Sequence, residues 1–526
     1  YNLPVQTRLL IRQKRRARAL WQRTRYPTDK TAYNRLSRQL KQNLQELRTQ
    51  KYDDYITKLT TDRRSLWAAT RRLLSYKYVS SPLRRDDGTW ARSDEDKATL
   101  FTQHLTNVFK PHSDISQDTT EIESELDSPL PLSLPPKAFS PADIKFIIKS
   151  LPSRKSPGYD LITSEILRHL PKKALIYLTY IYNSVLRTTY FPLSWKYSVI
   201  RMIPKPGKPT HLPSSYRPIS LLPTLGKILE KLLLKRINPI FAELGVVPHH
   251  QFGFRSLHNT TQQCHRVVDE IASALERKQY CTGAFLDVAQ AFDRVWHPGL
   301  LFKLKRCLPF TYFLILRSYL SDRFFQVSTG SAISSFSSVG AGVPQGSILG
   351  PVLYTVYTSD IPTHPSTLLC TYADDTAILA SSTNPTSASH KLQTHLHLIE
   401  TWAKKWRIKM NPRKSQHATF TLRRGSCPAV YFNNNSLPSA DLVRYLGLFI
   451  DKRLTWNPHT RLKRQALTKR AKLLYRLIGR RSKLPTELKR LIYNTILKPM
   501  WTYGLELWGS AKPTNIRTIQ TFQSKL

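Results

Sequence analysis

The sequence predicts an α+β protein whose two ends are helical and strongly basic. Four apolar runs have the length and residue types of buried strands: 198–204, 281–288, 368–372 and 376–380. Helical patterns separate these runs, so the strands must be connected over long stretches of chain. Strands interleaved with helices in this way favour an α+β layer with helical units at each side.

Helical patterns account for much of the remaining chain. Residues 5–60 contain an amphipathic pattern, with leucines at three- and four-residue spacing at positions 36, 40, 44 and 47. Ser140 is a suitable N-cap for a helix that continues through Leu151. Further helices are predicted in the basic C-terminal part of the chain and at 164–186, 225–244 and 388–406.

The length of 526 residues exceeds what one core needs, so roughly two to four packed units are expected. An acidic, Pro-rich stretch from Ser113 to Pro136 indicates a linker or a long surface loop and marks the first boundary. The chain starts at Tyr1, and 518–526 has a helical pattern that stops in mid-course. We interpret both ends as fragment boundaries.

The charge balance indicates a polyanionic partner. Lys and Arg number 81 and Asp and Glu 35, which gives a formal charge of +46. Nucleic acid is the partner that this excess favours, because phosphates attract Lys and Arg independently of sequence. Charge alone also fits a ribosomal protein, a nucleocapsid or a membrane-surface protein. The run Arg12–Arg18 is compatible with RNA contact, nuclear import or a solvated helix face.

The five cysteines are scattered and lack the paired spacing of a zinc site, so reduced thiols in an intracellular protein are expected. No apolar run approaches the length of a membrane span, and no signal-peptide pattern is visible. The sequence therefore predicts a soluble protein without a membrane partner.

Carboxylates supply the clearest chemical signal. Asp374 and Asp375 are adjacent, between two apolar runs, which predicts a hairpin whose turn carries two like charges. A polar turn is the alternative, but divalent cations would make such a pair favourable. Asp287 ends another apolar run, and a strand beside the hairpin would bring it to the same place. Asp293, by contrast, is expected to start a helix or form an ion pair.

Several segments, taken in order, resemble the motifs of reverse transcriptases, and specifically those of non-LTR (LINE-type, Jockey/I-like) retrotransposons. The resemblance covers about residues 140–510, and its motifs keep the family's order. They are IPKPGKP (203–209), SYRPISLLPTLGKILEKLL (215–233), HHQFGFR (249–255), FLDVAQAFDRVWH (285–297), GVPQGSILGPVLYTVYTSDIP (342–362), YADD (372–375), MNPRKS (410–415) and VRYLGLFID (443–451).

This resemblance implies a right-hand polymerase that copies the element's RNA into cDNA, by target-primed reverse transcription. It implies two Mg²⁺ ions (Mn²⁺ is possible), dNTPs and a DNA primer or nicked target DNA. Cytoplasmic ribonucleoprotein assembly followed by nuclear integration is expected. The corresponding segments are a basic helical N-terminal extension (1–112), the acidic linker (113–138), fingers with part of the palm (139–275), the palm (276–452) and a truncated helical thumb (453–526).

The resemblance also implies roles for single residues. Asp287, Asp374 and Asp375 would be the catalytic, metal-binding triad, with Tyr372 and Ala373 flanking the pair. Phe292 would exclude the ribose 2′-hydroxyl. The other implied nucleotide-binding residues are Lys205, Arg217, Gln345, Gly346 and Lys414, with Arg201 as a less certain companion.

Each implied role has a structural alternative. Arg217 could pair with a carboxylate, Lys414 could cap a helix, Phe292 could belong to the core, and Gln345 could cap a turn. The sequence departs from the family at Tyr159 and at position 290, away from the expected chemistry, and shows no endonuclease or RNase H constellation.

Two other functional classes compete with this interpretation. A viral RNA-dependent RNA polymerase shares the same catalytic logic but typically has Asp where Phe292 stands. A polymerase-derived protein that only packages nucleic acid would use the charge of +46 equally well.

Overall fold

The computed structural model describes residues 3–59, 63–75, 81–112, 119–131, 133–412, 414–480 and 482–525. Residues 113–118 and 132 of the expected linker, and position 413 within MNPRKS, lie outside the described residues. The described part mixes helices and sheets, as the sequence predicts.

Helices make up most of the described regular structure. They are α1 (Val5–Thr24), α2 (Pro27–Leu59), α3 (Arg63–Leu74), α4 (Asp94–Val108), α5 (Thr120–Asp127), α6 (Pro141–Ser150), α7 (Ser164–Arg168), α8 (Lys172–Thr188), α9 (Leu193–Lys196), α10 (Thr224–Glu243), α11 (Thr260–Glu276), α12 (His297–Cys307), α13 (Phe310–Leu320), α14 (Gly350–Tyr357), α15 (Pro385–Lys405), α16 (Asn457–Ile478), α17 (Thr486–Ile492), α18 (Lys498–Thr502), α19 (Leu505–Trp508) and α20 (Pro513–Ser524).

Most strands are short. They are β1 (Leu83–Arg84), β2 (Trp90–Ala91), β3 (Ser198–Pro204), β4 (Tyr216–Leu221), β5 (Tyr280–Leu286), β6 (Phe324–Thr329), β7 (Ala332–Ile333), β8 (Ser337–Ser338), β9 (Leu368–Tyr372), β10 (Asp375–Ser382), β11 (Gln416–Phe420), β12 (Tyr431–Phe432), β13 (Asn435–Ser436), β14 (Leu442–Tyr445) and β15 (Leu448–Asp451). The four predicted strands correspond to β3, β5, β9 and β10.

The chain divides into two compact units, one made of residues 1–78 and 456–526 and the other of residues 79–455. In the first unit, α1 packs along α2, and α16 packs against α3 and α20. Tyr52 Oη donates to the carbonyl of Arg476 at 2.9 Å, and Lys483 pairs with Asp53 at 2.9 Å. The two ends of the chain therefore share one helical unit.

The second unit contains two larger sheets. One has the strand order β11–β5–β10–β9 and is antiparallel throughout, with α11 and α15 packed on it. The other has the order β4–β3–β6–β7, with β8 paired to β6, and α4 packs on β6. Every residue of β5 is buried, which explains why its sequence is mostly apolar.

A helical layer packs beside these sheets, built from α6, α8, α10 and α13. The apolar faces of α6 and α10 form part of its core, which includes Ile144, Ile148, Leu229 and Leu233. Ser140 caps α6 as predicted: its hydroxyl accepts from the N–H of Asp143, whose side chain accepts from the N–H of Ser140.

The acidic segment expected to be a linker contains α5, which packs against α12. Ile122 is buried in the main core, and the Lys305 ammonium donates to the carbonyl of Ser128 at 2.6 Å. One buried apolar residue and one lysine on another helix therefore fix part of this segment. Among the described helices, none is both long enough and apolar enough to cross a membrane.

The α6 cap yields a stability prediction. Ser140→Ala should lower the free energy of unfolding by about 1 kcal/mol, because it leaves the N–H of Asp143 without its acceptor. Amide hydrogen exchange in the first turn of α6 should accelerate. Ser184→Ala on α8 is the control: its hydroxyl donates to the carbonyl of Tyr180 and accepts from the Arg187 side chain, so the substitution leaves no backbone N–H without an acceptor. Equal effects of the two substitutions would contradict the prediction.

Candidate active site

The predicted acidic hairpin is present, and its neighbour in the sheet carries the third carboxylate. β9 ends at Tyr372 and β10 begins at Asp375, so Ala373 and Asp374 form the turn. β5 pairs with β10, and Leu286 lies opposite Thr376. Because the pairing is antiparallel, Asp287 follows β5 at the same end of the sheet at which β10 begins. The register therefore brings the three predicted carboxylates to one sheet end.

Like charge and burial both act on these carboxylates. Burial, and then the charge of Asp287, raise the pKa of Asp374, while Lys414 and Arg217 oppose the rise. Asp375 reaches solvent, yet desolvation by the surrounding protein and the charges of Asp374 and Asp287 raise its pKa to about 6. The charge of Asp287 thus disfavours the ionised forms of both residues of the acidic turn.

Lys414 supplies the cation nearest to Asp287. Its ammonium lies 2.8 Å and 3.2 Å from the two carboxylate oxygens. The segment around it also holds the Asp287 backbone, since the N–H of Asn411 donates to the Asp287 carbonyl at 2.7 Å and Asp287 N–H donates to Ser415 Oγ at 3.2 Å. Lys414 is therefore an ion-pair partner, and the helix-capping alternative is wrong.

Hard carboxylate oxygens are the ligands that Mg²⁺ prefers, so the donor chemistry of Asp287, Asp374 and Asp375 fits a divalent cation. Asp287 is engaged by the ammonium of Lys414 in this structure. Within the described ranges, no group of three or more Asp, Glu, His or Cys side chains is arranged to hold a metal ion.

Two more cations lie on the β3–β4 hairpin. Lys205 directly follows β3, and Arg217 lies on β4 opposite Ile203. Burial, followed by the charges of Lys414 and Arg217, lowers the pKa of Lys205. The three cations are thus within electrostatic reach of one another, an arrangement that favours an anion. Arg201 is exposed, and its guanidinium approaches the carbonyl of Ser328 at 3.4 Å.

Phe292 is half-buried and held between two rings. It stacks on Tyr354 with ring centroids 4.7 Å apart, and Phe254 meets it edge-on at 5.9 Å. Its carbonyl also accepts from the N–H of Val343 at 2.8 Å. The alternative that Phe292 belongs to the core is therefore partly right, because the ring packs against the core but is only half-buried.

Gln345 and Gly346 form a tight loop against β4. Gly346 has φ +131°, and a Cβ there would lie 2.4 Å from the carbonyl oxygen of Ser220, so only glycine fits. The Ser220 N–H donates to the Gln345 carbonyl at 2.8 Å. The Gln345 amide donates to Asp293 at 2.8 Å, and burial raises the pKa of Asp293 to about 7.

The expectation for Asp293 was only partly correct. It lies in a turn before α12 rather than at a helix start. Its buried carboxyl accepts a hydrogen bond from the Gln345 side-chain amide. Asp293 therefore has a structural contact, but with an amide and not at the start of a helix.

The sequence did not single out the residues that hold the acidic turn. Gln251 is 3% exposed, and its Oε1 accepts from the N–H of Ala373 at 2.9 Å and from the N–H of Gly253 at 2.7 Å. Ala373 has φ +56°, which is uncommon for a residue with a side chain. A Cβ on Gly253 would lie 2.2 Å from the Ala373 nitrogen. Both Gln251 and Gly253 belong to the segment HHQFGFR (249–255), which resembles a family motif, but neither residue was given a role from the sequence.

This chain is similar in sequence to known proteins along its whole length. Residues 203–450 match the family described as "Reverse transcriptase (RNA-dependent DNA polymerase)". The chain is 40% identical to the "Probable RNA-directed DNA polymerase from transposon X-element" of Drosophila melanogaster, over 100% of this chain and 59% of that protein. It is 40% identical to the "RNA-directed DNA polymerase from mobile element jockey" of the same species, over 100% of this chain and 58% of that protein.

The chain therefore spans less than two thirds of the length of these relatives. Among solved structures, apo telomerase from Candida tropicalis superposes with a TM-score of 0.35 at 15% identity, over 52% of this chain and 58% of that one. That likeness is too weak to support an argument.

Removing the two hydrogen bonds that Gln251 accepts (here called the Gln251 clamp) should loosen the turn at Ala373 and Asp374. In Gln251→Met, the amides of Ala373 and Gly253 lose their acceptor, and their hydrogen exchange should accelerate by about tenfold. Gln393→Met is a matched control, because Gln393 holds both the N–H and the carbonyl of Tyr431. Unchanged exchange at Ala373 in the Gln251 variant would contradict the clamp.

Proposed function

Because the chain belongs to the reverse transcriptases of non-LTR retrotransposons, we propose that it copies RNA into DNA by adding dNTPs to a primer 3′ end. The observation that carries this proposal is the meeting of Asp287, Asp374 and Asp375 at one sheet end, within electrostatic reach of Lys414 and Arg217. Acidic and basic groups are both needed where a metal-bound triphosphate reacts.

In this proposal, Asp287, Asp374 and Asp375 hold two Mg²⁺ ions, or Mn²⁺ in their place. When bound, the cations supply charge stabilisation at the primer 3′ oxygen and at the leaving pyrophosphate. A bound cation would offset the charge of the carboxylates, and Asp287 would then be available to hold it in place of its contact with Lys414.

The cationic residues act on the triphosphate. Lys205 and Arg217 hold its oxygens through charge-assisted hydrogen bonds. Lys414, released from Asp287, lies where it can give a proton to the leaving pyrophosphate. Its pairing with Asp287 in the protein alone supports this, because it keeps the ammonium within reach of the reacting groups.

Two features select the nucleotide. The Phe292 ring offers no acceptor to a 2′-hydroxyl and occupies the space that such a group needs, so dNTPs are favoured. Tyr354 and Phe254 prevent the ring from moving aside. Gln345 and the solvent-exposed Gly346 lie under the incoming nucleotide and the template base, where glycine allows close backbone approach.

The proposal extends to the domains and partners. The sheet with β5 and β10 is the palm, the sheet with β3 and β4 belongs to the fingers, and α16–α20 form the thumb. The basic helical N-terminal extension covers residues 1–112 and includes α1 and α2. The template is the element's RNA and the primer a nicked target DNA, used in the nucleus after ribonucleoprotein assembly in the cytoplasm.

Primer extension on an RNA template with Mg²⁺ and dNTPs tests the proposed function. Asp374→Asn should reduce the rate by at least about a thousandfold, because transition-state charge stabilisation is lost. Asp127→Asn, on the exposed end of α5, is the matched control and should leave the rate unchanged. If the parent protein binds RNA tightly but extends no primer, it packages nucleic acid instead.

Sugar selection provides a second prediction. Phe292→Ala should raise the incorporation of rNTPs relative to dNTPs by at least about tenfold, because the ring that excludes the 2′-hydroxyl is gone. Phe146→Ala, at an exposed position on α6, is the control. A parent protein that prefers rNTPs would instead favour an RNA-dependent RNA polymerase.

A further inference from the structure

A buried carboxylate lies behind the nucleotide-selecting loop. Glu230 is on α10 and only 2% exposed, among leucine and isoleucine side chains of the core. Glutamate is almost never fully buried unless it is paired. Burial raises the pKa of Glu230, whereas hydrogen bonds from Leu349 and Ile348 and the charges of Arg323 and Lys227 oppose the rise.

The partners of Glu230 are two backbone amides. Its Oε2 accepts from the N–H of Ile348 at 2.5 Å and from the N–H of Leu349 at 3.0 Å. These amides come just before α14, where the first N–H groups of a helix lack partners within the helix. The helix dipole also favours a negative charge there. Glu230 therefore ties the N-terminal end of α14 to α10.

The hydrogen bonds of Glu230 bear on both features that are proposed to select the nucleotide, Gly346 and Phe292. Ile348 follows Gly346 by two positions and Gln345 precedes it, so the Glu230 hydrogen bond and the Ser220–Gln345 hydrogen bond flank Gly346 in sequence. α14 also carries Tyr354, the ring on which Phe292 stacks. One carboxylate thus holds the start of the element that positions Gly346 and Phe292.

Arg323 supplies a counter-charge beneath the same loop. It is 2% exposed, and its guanidinium donates to the carbonyl of Tyr319 at 2.9 Å. It also lines a cavity of about 20 Å³ together with Asp293, Pro344 and Gln345. Buried polar groups therefore line the same cavity as the loop. Because hydrogen bonds are directional, contacts between polar groups adapt less readily to a shift of the loop than apolar contacts do.

We propose that Glu230 is a positioning residue for nucleotide selection, acting through the amides of Ile348 and Leu349. Its carboxylate sets the position of the 345–349 loop and of α14, and through them the position of the Phe292 ring. This inference rests on the proposed function, since selection presupposes nucleotide addition. Glu230 itself contacts neither nucleotide nor metal in this account.

The test compares Glu230→Met with Glu230→Gln in steady-state primer extension. Methionine keeps the volume and removes the acceptor, so the KM for dNTP should rise between about tenfold and a hundredfold, with a smaller change in kcat. The preference for dNTPs over rNTPs should fall. Glutamine keeps an acceptor oxygen and should restore most of the parent values. If Glu230→Met does not fold, Glu230→Asp, which is too short to reach the amides, replaces it with the same expectation.

The control is Glu270→Met on α11, which also removes a carboxylate acceptor, here of the Ser381 hydroxyl at 2.7 Å. It should leave KM and sugar preference unchanged. A KM and a sugar preference within about twofold of the parent in the Glu230→Met variant would overturn the inference. So would equal losses of kcat in the Glu230 and Glu270 variants with KM unchanged, since that is a general stability effect.

A separate readout distinguishes failure of this inference from failure of the proposed function. Hydrogen exchange at Ile348 and Leu349 should accelerate in Glu230→Met and not in Glu270→Met, whether or not the protein extends primers. An inactive parent with accelerated exchange would refute the enzymatic proposal and leave the anchoring contact in place. Unchanged exchange would refute the anchor.

Discussion

Electrostatic repulsion among Asp287, Asp374 and Asp375 is the constraint around which the second unit is built. Pairing of β5 with β10 forces these carboxylates to one sheet end, where the charge of Asp287 disfavours ionisation of Asp374, and both charges disfavour ionisation of Asp375. Two kinds of interaction offset that repulsion: the ion pair of Lys414 with Asp287, and the buried strand β5 that fixes the register. A fold selected for stability alone would not gather these charges.

The acidic turn, the Phe292 ring and the start of α14 are each held by a buried partner. Gln251 holds the acidic turn, Tyr354 supports the Phe292 ring, and Glu230 holds the start of α14. Such support matters because catalytic groups displaced by about 1 Å lose much of their effect. Rigidity at this site therefore comes from hydrogen bonds and ring contacts behind the loops rather than from the loops themselves.

Local patterns were enough to predict β3, β5, β9, β10 and α10 and to single out the three aspartates, whereas β4 and α14, which also lie at the site, were not predicted. The roles of Gln251 and Glu230 could not be read in the same way. Gln251 acts on Ala373, which is far away in sequence, and the leucine-rich surroundings of Glu230 give no sign of its amide partners. The shared helical unit of the two chain ends was also missed, because contacts such as Tyr52 with Arg476 leave no local periodicity. α5 escaped prediction because only two of its side chains, Ile122 and Leu126, pack on the core, too few to give a helical pattern.

Relief of this repulsion by a divalent cation can be measured by thermal unfolding of the parent and of Asp375→Asn, each in EDTA and in Mg²⁺. The raised pKa of Asp375 means that its ionised form opposes folding at neutral pH, so removing the charge should stabilise the cation-free protein. We expect Asp375→Asn to unfold at a higher temperature than the parent in EDTA, and Mg²⁺ to stabilise the parent more than the variant. If the variant were less stable than the parent in EDTA and both responded equally to Mg²⁺, a divalent cation would not be relieving repulsion among these carboxylates.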